Sequence, residues 1–148
     1  MADFKQNGSV ATLHNLNTLP VADLERQLDA FSRRRKITLI LPSLYSELQA
    51  PALSGILDEL SKVSYINHII IGLDRASEQE FAHAREFFAR LPQKHSILWN
   101  DGPRLTAIHR QLEEAGLAPK EPGKGRNVWY CIGYCIACQD SDVAALHD

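Results

Sequence analysis

Cysteine is scarce in this chain and confined to one place: three residues, all within 131–138. So tight a cluster is no disulfide framework and fits a reducing compartment. No apolar run approaches the roughly 20 residues that a membrane-spanning helix needs, so no membrane span is expected. Met1-Ala2-Asp3-Phe4-Lys5 lacks the apolar core of a secretory signal. The expected compartment is therefore the cytoplasm. An excess of one charge is missing too, since 16 basic and 18 acidic residues give a net charge of -2. That argues against nucleic acid as a partner. The only dense charge run, Arg33-Arg34-Arg35-Lys36, reads as a solvated helix end before a strand. Several catalytic signatures are absent as well. There is no Gly-x-Gly-x-x-Gly for a dinucleotide. A phosphate-binding P-loop fails because position 118 is Ala and no Ser or Thr follows Lys124. Without Gly-x-Ser-x-Gly there is no nucleophile elbow. Internal repeats and low-complexity tracts are also lacking.

What is present is a globular composition, 45% hydrophobic and 23% charged over 148 residues. It excludes disorder and suffices for one ordinary domain with a core. Residues 1–17 are polar and weakly patterned, and are expected to form a flexible lead to an α/β domain over 18–148. Pro20 opens a helix in which Val21, Leu24, Leu28 and Phe31 recur at helical spacing. Ile37-Thr38-Leu39-Ile40-Leu41 reads as a buried strand ended by Pro42. Leu53, Ile56, Leu57, Leu60 and Val63 mark a second helix, and Ile66 to Leu73 a second strand. Ser77 and Glu80 form a capping box for a helix carrying Phe81, Ala84, Phe88 and Leu91. Ser96 to Trp99 is a third strand, followed by a helix with Leu105, Ile108 and Leu112. A helix over 126–138 and a strand over 142–147 close the pattern. Strands alternating with helices predict an α/β fold with a mostly parallel sheet and flanking helices.

In such a sheet three loops gather at one edge: Pro42-Ser43-Leu44-Tyr45-Ser46-Glu47, Gly72-Leu73-Asp74-Arg75 and Trp99-Asn100-Asp101-Gly102-Pro103-Arg104. Open α/β sheets bind ligands at that edge, and each loop carries polar or acidic side chains able to hold a base and ribose. Each also fits ordinary turn grammar. Gly123-Lys124-Gly125-Arg126 precedes a helix whose free N–H groups, with the Lys124 charge, suit a phosphate.

Cys131, Cys135 and Cys138 have the Cys-x3-Cys-x2-Cys spacing of iron–sulfur, radical S-adenosylmethionine-type proteins. The same i, i+4, i+7 spacing puts three sulfurs on one helix face, where cysteine packs as a small apolar residue. The core reading is preferred, and only ten residues follow the motif. His14, His68, His83, His95 and His109 are scattered without ligand spacing and are expected at the surface or in loops. His147, beside Asp148, is placed to line a metal site.

Taken in order, several of these elements resemble the GT-A type nucleotide-sugar glycosyltransferases, in particular the glucosyl-3-phosphoglycerate and mannosylglycerate synthase group. The residues that carry the resemblance are Leu41-Pro42-Ser43-Leu44-Tyr45-Ser46-Glu47, Ile69-Ile70-Ile71-Gly72-Leu73-Asp74, Gly123-Lys124-Gly125-Arg126-Asn127 and Val143-Ala144-Ala145-Leu146-His147-Asp148. The resemblance implies a Rossmann-like fold, the N-terminal, donor-binding half of such an enzyme. It makes Pro42, Ser43, Leu44 and Glu47 the first nucleotide-contacting loop, with Gly72 and Asp74 against base and ribose. Lys124 would approach the donor phosphates. Asp148 would be the first acid of an Asp-x-Asp motif binding Mg²⁺ or Mn²⁺, at which the sequence stops.

The expected function is therefore transfer of a sugar from a UDP- or GDP-linked donor to a small phosphorylated or carboxylated acceptor. The isolated chain is expected to be inactive, and apolar surface exposed by a truncated sheet is expected to favour a homodimer. A non-catalytic α/β interaction module is the alternative, and an iron–sulfur protein built on the three cysteines is a further one.

Overall fold

A computed structural model describes residues 19–147. The expected lead over 1–17 and the metal-ligand position Asp148 lie outside them. Helix α1 (Val21–Ser32) leads into β1 (Ile37–Leu44), a 3-10 turn (Tyr45–Gln49), α2 (Pro51–Leu60), β2 (Ile66–Asp74), α3 (Glu78–Phe88), β3 (Lys94–Trp99), α4 (Pro103–Glu114), α5 (Lys124–Cys138) and β4 (Val143–Leu146). All pairings are parallel and the sheet order is β3-β2-β1-β4. The chain thus builds outward from β1 through β2 to β3, then returns to the far side of β1. At such a reversal neighbouring connections leave on opposite faces, and a crevice opens at the carboxyl ends of the strands.

The isoleucine run in β2 needs cover on both sides, because a central parallel strand has no solvent face. Ile69, Ile71 and Leu73 join Leu39, Leu41, Leu53, Leu57, Ala84 and Phe88 on the α2/α3 face. Ile70 packs with Ile40 and Cys131 beneath α5. Each such fully buried aliphatic or aromatic side chain contributes roughly 1.5–3 kcal/mol. Helix α3 starts where the sequence places it: Ser77 N–H donates to Glu80 Oε2 at 2.7 Å, and Glu80 N–H to Ser77 Oγ at 3.4 Å.

One expectation about the elements needs correction. Strand β1 does not end at Pro42 but continues to Leu44, with Pro42 beside Gly72. The Ile40 carbonyl accepts from His147 N–H at 3.0 Å, so every second residue from Ile40 faces β4. Pro42 faces the side on which β4 has already ended, and its missing N–H breaks no ladder bond. All four residues of β4 are exposed. It is an edge strand, and Val143 and Leu146 are exposed, as are Ile132 and Ile136 of α5. Helix α1 forms with the expected spacing and buries none of its residues. No helix among the described residues is long and apolar enough to cross a membrane.

Candidate functional site

A cleft of about 450 Å³ opens at the carboxyl ends of β1, β2 and β4, at the reversal in strand order. Leu41, Pro42, Ser43, Leu44 and Glu47 form one wall, and Ala50, Ala52, Leu53 and Ile56 of the following turn and helix extend it. Asp74 and Arg75 come from the end of β2, Gly123, Lys124 and Asn127 from the start of α5, and His147 from the end of β4. Its size falls in the range of small-molecule sites, and its pattern of an apolar wall with a few convergent polar groups matches theirs.

The first wall is held from within. Glu47 Oε2 accepts the Leu44 N–H at 2.9 Å, which closes the 3-10 turn on the end of β1. Ser43 is buried at 4% exposure. Across from it, Gly123 adopts φ 128° and ψ -165°, a backbone region essentially reserved for glycine. That turn aims the start of α5, a helix of 15 residues, at the cleft. No side chain caps this helix end, so its first N–H groups and its positive dipole end meet the space that Lys124 lines. Arg75 completes the rim with a left-handed φ of 57°.

Two pairs fasten this end of α5 to β2. Asn127 Nδ2 donates to the Gly72 carbonyl at 2.8 Å, with Asn127 itself 2% exposed. Arg126 Nη2 donates to Asp74 Oδ1 at 3.3 Å, and Asp74 is 3% exposed. Of the expected site residues, Pro42, Ser43, Leu44, Glu47, Asp74 and Lys124 all line the cleft. Gly72 lies one layer behind, under Asn127. Asn127 and the pairing role of Arg126 escaped the sequence reading. Their signal was a polar residue four positions before Cys131 on the buried face of an apolar helix.

The third loop does not join the cleft. Asp101 Oδ2 accepts the Ala76 N–H at 3.0 Å and Trp99 Nε1 donates to the Ala76 carbonyl at 2.7 Å. These bonds fold it onto the segment after β2 instead.

The cysteines and histidines divide differently from expectation. Cys131 is fully buried, and burial, with Cys135 nearby, pushes its thiol up to about 12. Cys135 and Cys138 are only half-buried, because the last turns of α5 run to the amino-terminal rim of the sheet. Cys135 Sγ lies 3.4 Å from Ser141 Oγ. Among the described residues no group of three His, Cys, Asp or Glu side chains is gathered to hold a metal ion.

His68 is not at the surface: it is fully buried in β2. Its Nε2 lies 2.9 Å from Ser96 Oγ, its Nδ1 lies 3.4 Å from Asp140 Oδ2, and Ser96 Oγ lies 3.2 Å from Tyr134 OH. Desolvation holds the imidazole below its ordinary value, with Asp140 opposing. This network sits toward the amino ends of β2 and β3, away from the cleft.

No protein-family model matches the chain. It is 43% identical over 148 residues to the glucosyl-3-phosphoglycerate synthase of Persephonella marina, covering 100% of this chain and 37% of that protein. It is 29% identical over 148 residues to the glucosyl-3-phosphoglycerate synthase of Methanococcoides burtonii, covering 95% of this chain and 36% of that protein. The chain thus spans a little over a third of the length of these relatives. A solved glucosyl-3-phosphoglycerate synthase of Mycobacterium tuberculosis, in complex with Mn²⁺, uridine diphosphate and glucosyl-3-phosphoglycerate, aligns with a TM-score of 0.46 and 17% identity over 84% of this chain and 37% of that one.

Proposed function

We propose that this chain, similar along its whole length to part of the glucosyl-3-phosphoglycerate synthases, is the donor-nucleotide half of a GT-A type glycosyltransferase. The whole protein would move a sugar from a nucleoside-diphosphate sugar, UDP-linked in preference to GDP-linked, to a small phosphorylated or carboxylated acceptor. The observation that carries this reading is the cleft itself, where an apolar wall faces a helix N-terminus and a lysine.

Each part suits one portion of such a donor. Pro42 and Leu44, with Leu53 and Ile56 lining the same cleft, offer apolar area to the base, and Ser43 a hydroxyl. Glu47 fixes this wall through the Leu44 N–H. The resemblance sets Gly72 and Asp74 against base and ribose; here the Gly72 carbonyl accepts from Asn127 and Asp74 accepts from Arg126. The first turn of α5 and Lys124 supply N–H groups and positive charge for the diphosphate. The described residues alone gather no metal site, so a divalent cation, Mg²⁺ or Mn²⁺, would depend on Asp148, next in sequence to the cleft-lining His147. Such an ion would supply positive charge to offset that building on the departing nucleoside diphosphate. Three free thiols are in keeping with a cytoplasmic protein.

Calorimetric titration of the chain with UDP and with GDP, each with and without Mn²⁺, tests the reading. Binding of UDP that strengthens with the metal and exceeds that of GDP is expected. Equal heats for the two nucleotides, or none, would overturn the choice of donor.

A further inference from the structure

Asp74 sits in the wall of the cleft yet offers it almost nothing. Only 3% of its surface is exposed, and Oδ1 is taken by Arg126. Arg126 is itself the third residue of α5, two positions after Lys124, and its Nε is buried without a partner. The neighbouring Asn127 makes a second tie from the same turn to the same strand end, through the Gly72 carbonyl. Both ties run from the last residues of β2 to the start of α5. They fix the segment in which Gly123 turns the chain and the N-terminus of α5, with Lys124, lines the cleft. One carboxylate oxygen is held by the guanidinium, and with only 3% of Asp74 exposed the cleft has little surface through which a ribose hydroxyl could reach the other.

We infer that Asp74 is a positioning residue: through Arg126 it orients the N-terminus of α5 for a diphosphate and does not itself read the nucleoside. This rests on the donor-site reading above and deepens it, by dividing the cleft into a nucleoside wall on β1 and the helix that follows it, and a phosphate end whose geometry is set from β2. Asp74 and Arg126 then act as a unit, so that losing either should cost as much as losing both.

The test separates the two halves of the ligand. Asp74→Asn, Arg126→Gln and the neutral pair D74N/R126Q are titrated in the presence of Mg²⁺ with inorganic pyrophosphate, with uridine and with UDP. The double variant keeps no buried charge and carries the test if a single variant fails to fold. Pyrophosphate and UDP are expected to bind on the order of tenfold more weakly to all three variants, the range typical of losing an orienting partner. Uridine should bind as before. A loss of uridine affinity in D74N with pyrophosphate unchanged would show that Asp74 reads the nucleoside directly and overturn the inference. Hydrogen exchange of the amides of residues 124–128, measured without ligand, judges the pair even if the cleft takes no nucleotide. Exchange accelerated in these amides but not in the centre of β2 supports the positioning role. Unchanged exchange there contradicts it, whereas a wild-type chain that binds none of the three probes contradicts the donor reading alone.

Discussion

Asn127 and Gly72 are in such close register that a Cβ on Gly72 would lie 1.7 Å from Asn127 Oδ1 and 2.7 Å from Cys131 Sγ. Helix α5 can donate to the Gly72 carbonyl only because that position has no side chain. The glycine is required by helix–strand packing, and the conformation of its own backbone plays no part in that requirement.

Gly72→Ala should therefore force α5 away from β2 at the level of the cleft. Overpacking of this kind costs about 1–3 kcal/mol or more, readable as a lower urea midpoint. Gly133→Ala is the control, because nothing lies within 4 Å of a Cβ there. Alanine in mid-helix should raise stability by roughly 0.5–1 kcal/mol. Equal effects from the two substitutions would contradict the packing argument.

The buried His68 ties stability to pH. Its folded-state pKa is depressed, mainly by desolvation, so below about pH 6.5 the unfolded chain takes up a proton that the native state resists. Stability should fall as pH is lowered through that window, by at most about 1.4 kcal/mol per pH unit, and level off once the folded histidine is also protonated. Asp140 adds a separate loss in the acid range, because the Lys94 hydrogen bond, with His68 close by, lowers its carboxyl below the ordinary value. Urea midpoints of wild type and His68→Gln between pH 5 and 8 check the first effect, and the variant should lack that slope.

Thiol accessibility should split two to one. Cys131 is fully buried and its thiol is pushed up to about 12, which leaves negligible thiolate near neutrality. Cys135 and Cys138, both half-buried, should react with an aromatic disulfide reagent in the native chain, and Cys131 only on unfolding. Prompt reaction of three thiols in native buffer would contradict the packing of α5.

Much of this architecture was legible in the residues themselves. Apolar runs such as Ile69-Ile70-Ile71 and the Ser77/Glu80 box carry their own local physics, so the strand and the helix start fall where the pattern puts them. The cleft-lining residues on β1 and at the start of α5 were legible because parallel topology sends every strand end to one edge. The rest depended on partners distant in sequence. Pro42 looks like a strand end until β4 is seen to stop short of it. His68 looks like a surface residue until Ser96 and Asp140 surround it. Asp74 looks free until Arg126, 52 residues later, reaches it. The third loop carried the same polar vocabulary as the other two, but Trp99 and Asp101 turn it toward Ala76, and no local pattern reports that choice.

The proposed donor site is tested most directly by thermal unfolding of the chain with UDP, with and without Mn²⁺, beside the variant Lys124→Ala. Ligand at ten times Kd stabilises by about 1.4 kcal/mol, roughly 3–6 °C in Tm for a domain of this size. A metal-dependent rise in the wild type that is largely lost in K124A is the expected result. No rise at millimolar UDP, or the same rise in both proteins, would contradict a nucleotide-diphosphate site at the start of α5.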